Sequence, residues 1–446
     1  MIHRKIESEL DAFLSRNGKE ALLVSGARQV GKTFIIREFA RRHYANFVEI
    51  NFIKNPDAKA LFAATTSEHE FFALLSTVTD VPLVPHKTLI FFDEVQACPE
   101  AVTFIKFLVD NGQFHYILSG SLLGVELKDI RSAPVGYLRE VTMYPLDFEE
   151  FIRANGVGDE TIELVRDRCQ NGGAIPSLIH DRLMKLFRLY LVVGGMPAVV
   201  QSYLDTNDLR EVMRIQQAIV TEYKKDASRY DAAERMKIVR VLELIPAELN
   251  RPNKRFFLND IKENIKFNRL EDNFVWLDKA GIAIPVFNVD APTQPLELAK
   301  KANLFKLFLN DVGLLASLYA EGIQLRILTK DEVINYGAIY ENFVAQELRA
   351  HGYRTIYYFN SKKHGEVDFL IESEGHVLPL EIKSGKDYKK HAALDNMLSV
   401  KDYALTNAHV LSDNPNIEKG TVSYFPIYTT LFLQHNPLPD RLIYKI

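Results

Sequence analysis

The first third of the chain alternates short apolar runs with segments whose apolar residues recur every three or four positions. Three of these runs have the length and hydrophobicity of buried strands: ALLV at 21–24, KTLIFFDEVQ at 87–96 and FHYILSGS at 114–121. Two further runs complete the alternation of strands and helices: NFVEIN at 46–51 and EVTMY at 140–144. The segments between them have the periodicity of helices. This alternation predicts an α/β fold built on a doubly wound parallel sheet with right-handed crossovers.

A glycine-containing loop joins the first of these runs to the helix that follows it. The loop and the start of the helix read Gly26, Ala27, Arg28, Gln29, Val30, Gly31, Lys32 and Thr33. Strand, loop and helix come in the order of a P-loop, where backbone N–H groups and the helix N-terminus surround phosphate oxygens. We predict that these residues bind a nucleotide, with Lys32 on the β- and γ-phosphates and Thr33 on Mg²⁺. The alternative is a plain glycine turn.

Polar side chains end two of the other apolar runs. Asp93 and Glu94 follow one run, and Ser119 and Ser121 follow the next. Parallel sheets bind ligands at the carboxyl ends of their strands. We predict that Asp93 holds Mg²⁺, that Glu94 orients or deprotonates the attacking water, and that Ser119 senses the γ-phosphate. The alternatives are a solvated acidic turn and a serine that caps a turn.

A second group of charged residues lies near the other end of the chain, where GEVDFLI (365–371) and PLEIKSG (379–385) flank the polar stretch ESEGH (372–376). Alternation along the two predicted strands of this hairpin brings Asp368 to Glu381 and Lys383, with Glu366 on the same face. Adjacent carboxylates repel unless a cation or a proton joins them, so we predict a magnesium site here. Lys383 would then position a water or offset charge in a phosphoryl transition state. The alternative is a cross-strand salt bridge in a degenerate domain.

The middle of the chain predicts helices and little distinctive chemistry. Residues 181–230 read as helices interrupted at Gly194-Gly195 and Pro197, and they are a candidate lid over the nucleotide. Residues 232–290 read as three helices and a strand, which is the outline of a winged helix. Basic side chains in this segment would suit phosphate contacts: Lys254, Arg255, Lys262, Lys266 and Arg269. A solvated face on a structural linker is the alternative reading of this segment.

Composition sets broad limits on the class of protein. The chain has 446 residues, of which 47% are hydrophobic, and a formal net charge of −4, so any binding to nucleic acid must be local. Its only cysteines, Cys98 and Cys169, are too few for a disulfide framework. No run is long enough to span a membrane and the N-terminus lacks the apolar core of a signal peptide, so we expect a cytoplasmic protein with no membrane partner.

Several short motifs together resemble one family. GARQVGKT, FFDEVQ, LSGSLLG, YPLDFEEF, VVGGMP, WLDKAGI, FKLFLNDVGLL, YENFVAQEL and EVDFLI with LEIKSG are similar to motifs of bacterial and archaeal AAA+ ATPases that carry a C-terminal domain of unknown function. The resemblance implies a P-loop AAA+ core at 1–150, a helical lid at 151–230, a winged-helix-like linker at 231–295 and a domain at 296–446 similar to PD-(D/E)xK nucleases. In such nucleases a helical glutamate is a further metal ligand, and Glu341 resembles it by position. AAA+ rings also use an arginine finger, for which Arg131 and Arg139 are the nearby candidates.

These observations predict a magnesium-dependent ATPase, with ATP and Mg²⁺ as cofactors, coupled to a nuclease-like domain that handles DNA or another nucleic acid. The alternative belongs to another class: a nucleotide-gated interaction or signalling ATPase whose C-terminal domain binds a partner without cleaving nucleic acid. A ring translocase would additionally require homo-oligomers and an arginine finger.

Overall fold

The computed structural model describes residues 2–16, 18–63, 65, 67–121, 136–227, 232–261, 267–320, 322–331, 334–373 and 375–435. The chain forms two compact units. The first unit comprises Met1–Tyr144 and Val275–Ile282, and the second comprises Pro145–Phe274 and Ala283–Ile446. One short segment late in the sequence therefore belongs to the N-terminal unit.

The first unit contains a parallel sheet. Its strands are β1 (Ala21–Ser25), β2 (Asn46–Asn51), β3 (Thr88–Asp93), β4 (His115–Ser119) and β5 (Leu138–Thr142). Its helices are α1 (Glu7–Ser15), α2 (Lys32–His43), α3 (Ala60–Ala63), α4 (Glu68–Val78) and α5 (Pro99–Asn111). The strand order is β2-β3-β4-β1-β5, and each neighbouring pair is parallel. The predicted α/β class and the predicted parallel sheet are confirmed.

The core of the first unit explains why its strands read as unbroken apolar runs. Every residue of β1, β3 and β4 is buried, and an aromatic cluster packs beside them, including Phe62, Phe71 and Phe92. Burying one such ring contributes about 1.5–3 kcal/mol. Polar residues are consequently found where the strands end, which places Asp93 and Ser119 on the carboxyl edge of the sheet.

The second unit combines helices with a mixed sheet. Its helices are α6 (Phe148–Ala154), α7 (Asp159–Asn171), α8 (Ser177–Val193), α9 (Pro197–Thr206), α10 (Leu209–Asp226), α11 (Ala232–Leu249), α12 (Glu271–Lys279, whose end lies in the first unit), α13 (Val312–Ser317), α14 (Ile323–Leu328), α15 (Tyr336–Ala350) and α16 (Ala392–Leu398). Its strands are β6 (Gly173–Ala174), β7 (Ala283–Val289), β8 (Lys300–Leu309), β9 (Ile356–Ser361), β10 (Gly365–Ser373), β11 (His376–Lys383), β12 (Ala408–Ser412), β13 (Asn416–Ile417) and β14 (Val422–Pro426). Among the described residues, no helix is long and apolar enough to cross a bilayer.

The large sheet of the second unit contains the predicted hairpin. Its strand order is β14-β12-β11-β10-β9-β7-β8, with β10 antiparallel to both β9 and β11, and β12 parallel to β11. Phe369 pairs with Leu380, which confirms the predicted hairpin. The two strands extend further toward the turn than predicted, because Ser373 pairs with His376 within the stretch that was predicted to be a loop. Helix α15, the three strands β9 to β11, helix α16 and strand β12 follow one another along the chain.

The segment predicted as a winged helix has a different arrangement in part. Helices α11 and α12 lie where two of the three helices were expected, whereas the described part of the second contains only a 3-10 turn at Leu258–Asp260. Lys262 and Lys266 lie outside the described residues. Strand β7 pairs with β8 and β9, so it is an interior strand of the large sheet. A wing that contacts a nucleic acid needs exposed strands, whereas six of the seven residues of β7 are buried and the seventh is half-buried.

Buried polar contacts connect several of the sequence motifs within the second unit. The carboxylate of Asp311 accepts hydrogen bonds from the backbone N–H of Gly195 (2.6 Å) and of Leu314 (2.9 Å). The N–H of Leu146 in turn donates to the carbonyl of Gly195 (2.7 Å). A Cβ added to Gly194 would lie 2.1 Å from Asp311 Oδ1, so only glycine fits there. These hydrogen bonds therefore connect three of the sequence motifs: YPLDFEEF, VVGGMP and NDVGLL.

Candidate functional site

The loop between β1 and α2 has the backbone of an anion-binding turn. Gly26, Gln29 and Gly31 all have positive φ, at 138°, 65° and 98°. A Cβ on Gly26 would lie 2.2 Å from the carbonyl oxygen of Met143, so the chain passes too close for a side chain. Helix α2 begins at Lys32, directly after the last of these turns. The predicted stretch from Gly26 to Thr33 thus ends on a helix N-terminus, which favours negative charge.

The Lys32 side chain is folded into this loop. It is 8% exposed, and its Nζ donates to the carbonyl oxygens of Gly26 (3.0 Å) and Ala27 (2.8 Å). Burial lowers the pKa of Lys32 to about 8, although the nearby carboxylates of Glu94 and Asp93 act in the opposite direction. The ammonium is therefore held by weak neutral acceptors that a phosphate can replace.

Three side chains donate hydrogen bonds to the carboxylate of Asp93 at the end of β3. Thr33 Oγ1 donates to both of its oxygens, at 3.3 Å and 3.2 Å, and Asn51 Nδ2 donates to Oδ2 at 2.8 Å. Ser119 Oγ donates to Oδ1. Burial is the main cause that raises the pKa of Asp93. The predicted residues Thr33, Asp93 and Ser119 are brought together here.

The donor set around Asp93 fits a magnesium ion. Mg²⁺ prefers oxygen ligands and is commonly held by one or two protein oxygens, its other ligands being water and phosphate. The hydroxyl of Thr33 and the carboxylate of Asp93 are adjacent, beside the loop that would hold the phosphates. Asn51 was not predicted as a site residue. Its signal in the sequence is its position at the end of the strand that pairs with β3, opposite Asp93.

Glu94 occupies a constrained position just beyond β3. Its φ is 58°, in the left-handed region that non-glycine residues seldom adopt. Gln96 Nε2 donates to Glu94 Oε2 and also lies 3.5 Å from Ser121 Oγ. Arg28 Nε, from the P-loop, donates to the same serine hydroxyl at 3.4 Å. Gln96, which the sequence did not single out, thus connects the predicted water-activating carboxylate to the end of β4.

The arginine-finger candidates differ in what the structure describes. Arg139 lies on β5, where its guanidinium pairs with Glu20 (2.8 Å) and Glu9 (2.5 Å) of the same unit. The positive charge of Arg139 is therefore paired with carboxylates of the same chain. Arg131 lies outside the described residues. The arginine finger stays a prediction.

One contact with the P-loop comes from a distant part of the sequence. Gly281, in the segment of the first unit that follows α12, has a φ of 70°. A Cβ at this position would lie 3.1 Å from the backbone nitrogen of Ala27 and 3.3 Å from its Cβ. The sequence quoted as WLDKAGI is therefore packed against the nucleotide loop, which no pattern in the sequence predicted.

The second group of predicted site residues contains buried lysines as well as acids. Lys306, on β8, is 0% exposed, and its Nζ lies 2.7 Å from Glu366 Oε1, 3.3 Å from Glu341 Oε2 and 3.9 Å from Asp368 Oδ1. Lys254 Nζ pairs with the other oxygen of Glu341. Glu341 is 2% exposed, so its carboxylate faces inward. Lys306 was missed, and its signal is a single lysine within the apolar run NLFKLFL.

The hairpin brings the remaining predicted residues to the same place. Asp368 Oδ2 accepts a hydrogen bond from the Ile382 N–H at 2.9 Å, and Lys383 Nζ donates to Glu381 Oε1 at 2.7 Å. Glu381 Oε2 is buried without a hydrogen-bond partner. Burial raises the pKa of Glu381, and it raises the pKa of Asp368 well above its usual range, with Glu341 and Glu381 adding to the effect.

This arrangement does not fit a divalent metal ion as it stands. The Lys306 ammonium lies among the carboxylates that the sequence predicted as ligands, Glu341 and Asp368. Over the described parts of the chain, no three histidine, cysteine, aspartate or glutamate residues are placed to hold a metal ion. The roles predicted for Glu341, Asp368, Glu381 and Lys383 stay predictions, and we derive no chemical step through a metal at this cluster.

Comparisons with solved structures give matches of low identity. The chain is similar to the Walker-type ATPase PABY2304 of Pyrococcus abyssi, at 17% identity over 71% of this chain and 96% of that one, with a TM-score of 0.43. It is also similar to the Aeropyrum pernix Orc1 protein in complex with DNA, at 14% identity over 74% and 94% with a TM-score of 0.30. Thermotoga maritima RuvB, a Holliday junction branch migration motor, matches at 14% identity over 63% and 89%, with a TM-score of 0.29. A comparison with curated proteins gave no match.

Comparisons with family models divide the chain into three stretches. Residues 184–326 match a domain of unknown function, DUF8612, and residues 336–429 match another, DUF4143. Residues 18–152 match the AAA domain. They contain the glycine loop, Thr33, Asp93 and Ser119, whose geometry is described above. This part of the chain therefore matches the AAA domain and has the loop geometry of a P-loop.

Proposed function

We propose that the chain is a magnesium-dependent ATPase whose nucleotide state controls a second unit that handles nucleic acid. The observation that carries the proposal is the convergence of Thr33, Asp93 and Ser119 beside the loop in which Lys32 is buried. These are the hydroxyl, carboxylate and ammonium groups that a nucleotide with its metal ion requires.

Each residue has a distinct task in the proposed hydrolysis. Thr33 and Asp93 hold Mg²⁺, which when bound neutralises charge on the phosphates. Lys32 leaves the carbonyls of Gly26 and Ala27 to bind phosphate oxygens. Glu94 orients the attacking water or accepts its proton, and a positioned base of this kind contributes about 10²–10⁴-fold to the rate. Ser119, already hydrogen-bonded to Asp93, senses whether the γ-phosphate is present.

The proposal for the second unit rests on its element order and its charged cluster. Asp368, Glu381 and Lys383 lie on two neighbouring strands of the sheet. The elements of this part of the chain come in the order helix, three antiparallel strands, helix and parallel strand. This arrangement supports the resemblance to PD-(D/E)xK nucleases. The ATPase domain and this cluster belong to one chain. A conformational change on nucleotide binding in the first unit can therefore be transmitted to the second through the segments that connect them. This supports control of nucleic-acid handling by ATP.

A second candidate function is favoured by a specific observation. The carboxylates that would bind a catalytic metal are paired with Lys306 and Lys254. A domain in this state binds a partner, a nucleic acid or a protein, without cutting it. The chain would then be a nucleotide-gated interaction protein.

One set of reactions tests the proposal and separates the two candidates. ATP turnover is measured with and without plasmid, branched DNA and RNA, in Mg²⁺ and in Mn²⁺, and the nucleic acids are examined for breaks. We expect turnover that changes at least about threefold when nucleic acid is present. Cleavage that is lost in Lys383→Ala and Asp368→Ala supports the nuclease, and intact substrates support the binding function. Turnover that ignores nucleic acid, together with nucleic-acid binding that ignores ATP, contradicts the coupling.

A further inference from the structure

We infer that Lys306 is a built-in cation: its ammonium occupies the position among Glu341, Glu366 and Asp368 that a divalent metal ion would otherwise take. The second unit then holds no metal in its resting state, and it gains a metal site when this lysine is removed or displaced. The inference rests on the proposed function in one respect, since it concerns the same charged cluster that was predicted to handle nucleic acid.

The first support is the burial and geometry of Lys306. Its side chain is 0% exposed, and its Nζ has three carboxylate neighbours at 2.7, 3.3 and 3.9 Å, contributed by β10 and α15. A fully buried lysine is rare, because the ammonium loses its hydration, and it is tolerated when carboxylates surround it. A single cation bound by oxygens from two elements is also how proteins hold Mg²⁺ or Mn²⁺.

The second support is the charge balance of the cluster. Three ammonium groups, those of Lys254, Lys306 and Lys383, face four carboxyl groups, those of Glu341, Glu366, Asp368 and Glu381. The three ammonium groups therefore offset most of the negative charge of the four acids, which reduces the electrostatic demand for a metal ion.

The third support is independent of the lysines and points to a ligand. Glu381 is 7% exposed, and its Oε2 has no hydrogen-bond partner, although it lies in a cluster where other polar atoms are paired. A buried carboxylate oxygen left without a partner loses its hydration and is destabilising. It is the acceptor that a divalent ion would use if it replaced the ammonium of Lys306. Removing the lysine would free oxygens of Glu341, Glu366 and Asp368, and a bound ion would have to draw these oxygens together with Glu381 Oε2.

The test compares Mn²⁺ binding by the full chain and by Lys306→Met, which keeps an unbranched side chain of similar length without the charge. Both carry Asp93→Asn, so that the first unit supplies no metal ligand there, and no nucleotide is added. Calorimetry and the Mn²⁺-dependent shift in melting temperature are measured. We expect Lys306→Met to bind one Mn²⁺ at least about tenfold more tightly than the lysine-containing chain, with a rise in melting temperature that the latter does not show.

Matched variants control for loss of a lysine and for unspecific binding. Lys301→Met removes a lysine from the same strand, where it is 44% exposed and pairs with Asp290, and it should leave Mn²⁺ binding unchanged. Glu381→Gln added to Lys306→Met should abolish the new site. A folded Lys306→Met that gains no affinity for Mn²⁺ overturns the inference.

The chain that retains Lys306 provides a result even where Lys306→Met does not fold. If it binds one Mn²⁺ with submillimolar affinity, and Glu381→Gln removes that binding, a metal coexists with Lys306 and the inference is wrong. Absence of such binding supports it. These measurements involve no ATP, so a failure of the proposed ATPase function would not affect them, and the outcomes of the two tests can be told apart.

Discussion

Lys32 illustrates how burial prepares a single residue for its ligand. Its ammonium lies within the P-loop against two backbone carbonyls, with 8% of its surface exposed. Burial disfavours the charged form, and the pKa of about 8 is the result. A triphosphate would reverse that shift, because it supplies negative charge at the ammonium. Nucleotide binding and protonation of Lys32 are therefore linked.

This linkage predicts how ATP binding depends on pH. Below pH 8 the free protein already carries the Lys32 proton, so binding takes up none. Above pH 8 free Lys32 is neutral and binding must take up a proton, so affinity falls by up to about tenfold per pH unit. Calorimetry in buffers of different ionisation enthalpy measures the uptake, which should approach one proton at pH 9. Lys32→Arg, which stays charged, is the control. Equal uptake at pH 7 and pH 9 would contradict the assignment.

At the scale of residues, the sequence predicts where a residue lies in a strand or helix better than it predicts which side chains that residue contacts. The motif predicts that Lys32 and Thr33 start a helix and that Asp93 ends a strand, and they lie there because strand ends and helix starts are local features. It does not reveal that Asn51 and Gln96 complete the site, since their side chains reach it only after neighbouring strands pair. It also misses Lys306, because a lysine in an apolar strand becomes informative only when the acids around it are known.

Among the elements, the segment Val275–Ile282 is unusual because it belongs to the first unit while its neighbours in sequence belong to the second. Trp276, Leu277 and Ile282 are buried. Gly281 lies against Ala27, whose carbonyl holds the Lys32 ammonium. We expect this contact to support the conformation of the P-loop.

A pair of glycine variants tests that contact. Gly281→Val and Gly112→Val place valine at nearly the same φ, 70° and 68°, in the same unit, so each should lose about 1–3 kcal/mol of stability. A Cβ at Gly112 would lie 4.0 Å from its nearest neighbour, the carbonyl oxygen of Asp110, whereas a Cβ at Gly281 would lie 3.1 Å from the Ala27 nitrogen. We expect Gly281→Val to weaken ATP affinity about tenfold, measured by calorimetry, and Gly112→Val to leave it unchanged. Equal affinities in the two variants would show that the contact has no role in binding.

Element prediction succeeds where burial is uniform and weakens where a strand can join more than one sheet. The five strands of the first unit lie in the predicted runs. The runs of β1, β3 and β4 are apolar enough to be wholly buried, whereas the edge strands β2 and β5 are more exposed. Strand β7 was also predicted, but no pattern in the sequence indicates that it pairs with β8 and β9 rather than forming a wing. Pairing partners far apart in sequence are set by tertiary packing, which periodicity does not encode.

On the scale of the whole molecule, the chain has two charged clusters that differ in the cation they are suited to: a metal ion in the first unit and a lysine ammonium group in the second. In the first unit, oxygens of Thr33 and Asp93 lie beside a loop suited to phosphate, as an exchangeable metal requires. In the second, Lys306 already neutralises the acids. This contrast supports an account in which ATP turnover is the chemical activity of the resting chain and the second unit responds to it.

The measurement that tests this account most directly is ATP binding and turnover by Lys32→Ala beside the unaltered chain. The account predicts that the unaltered chain binds Mg²⁺-ATP and hydrolyses it, and that Lys32→Ala, with the same fold by circular dichroism, loses at least about 100-fold in turnover with weakened binding. If Lys32→Ala binds and hydrolyses ATP as well as the unaltered chain does, the glycine loop is not the nucleotide site and the account is wrong.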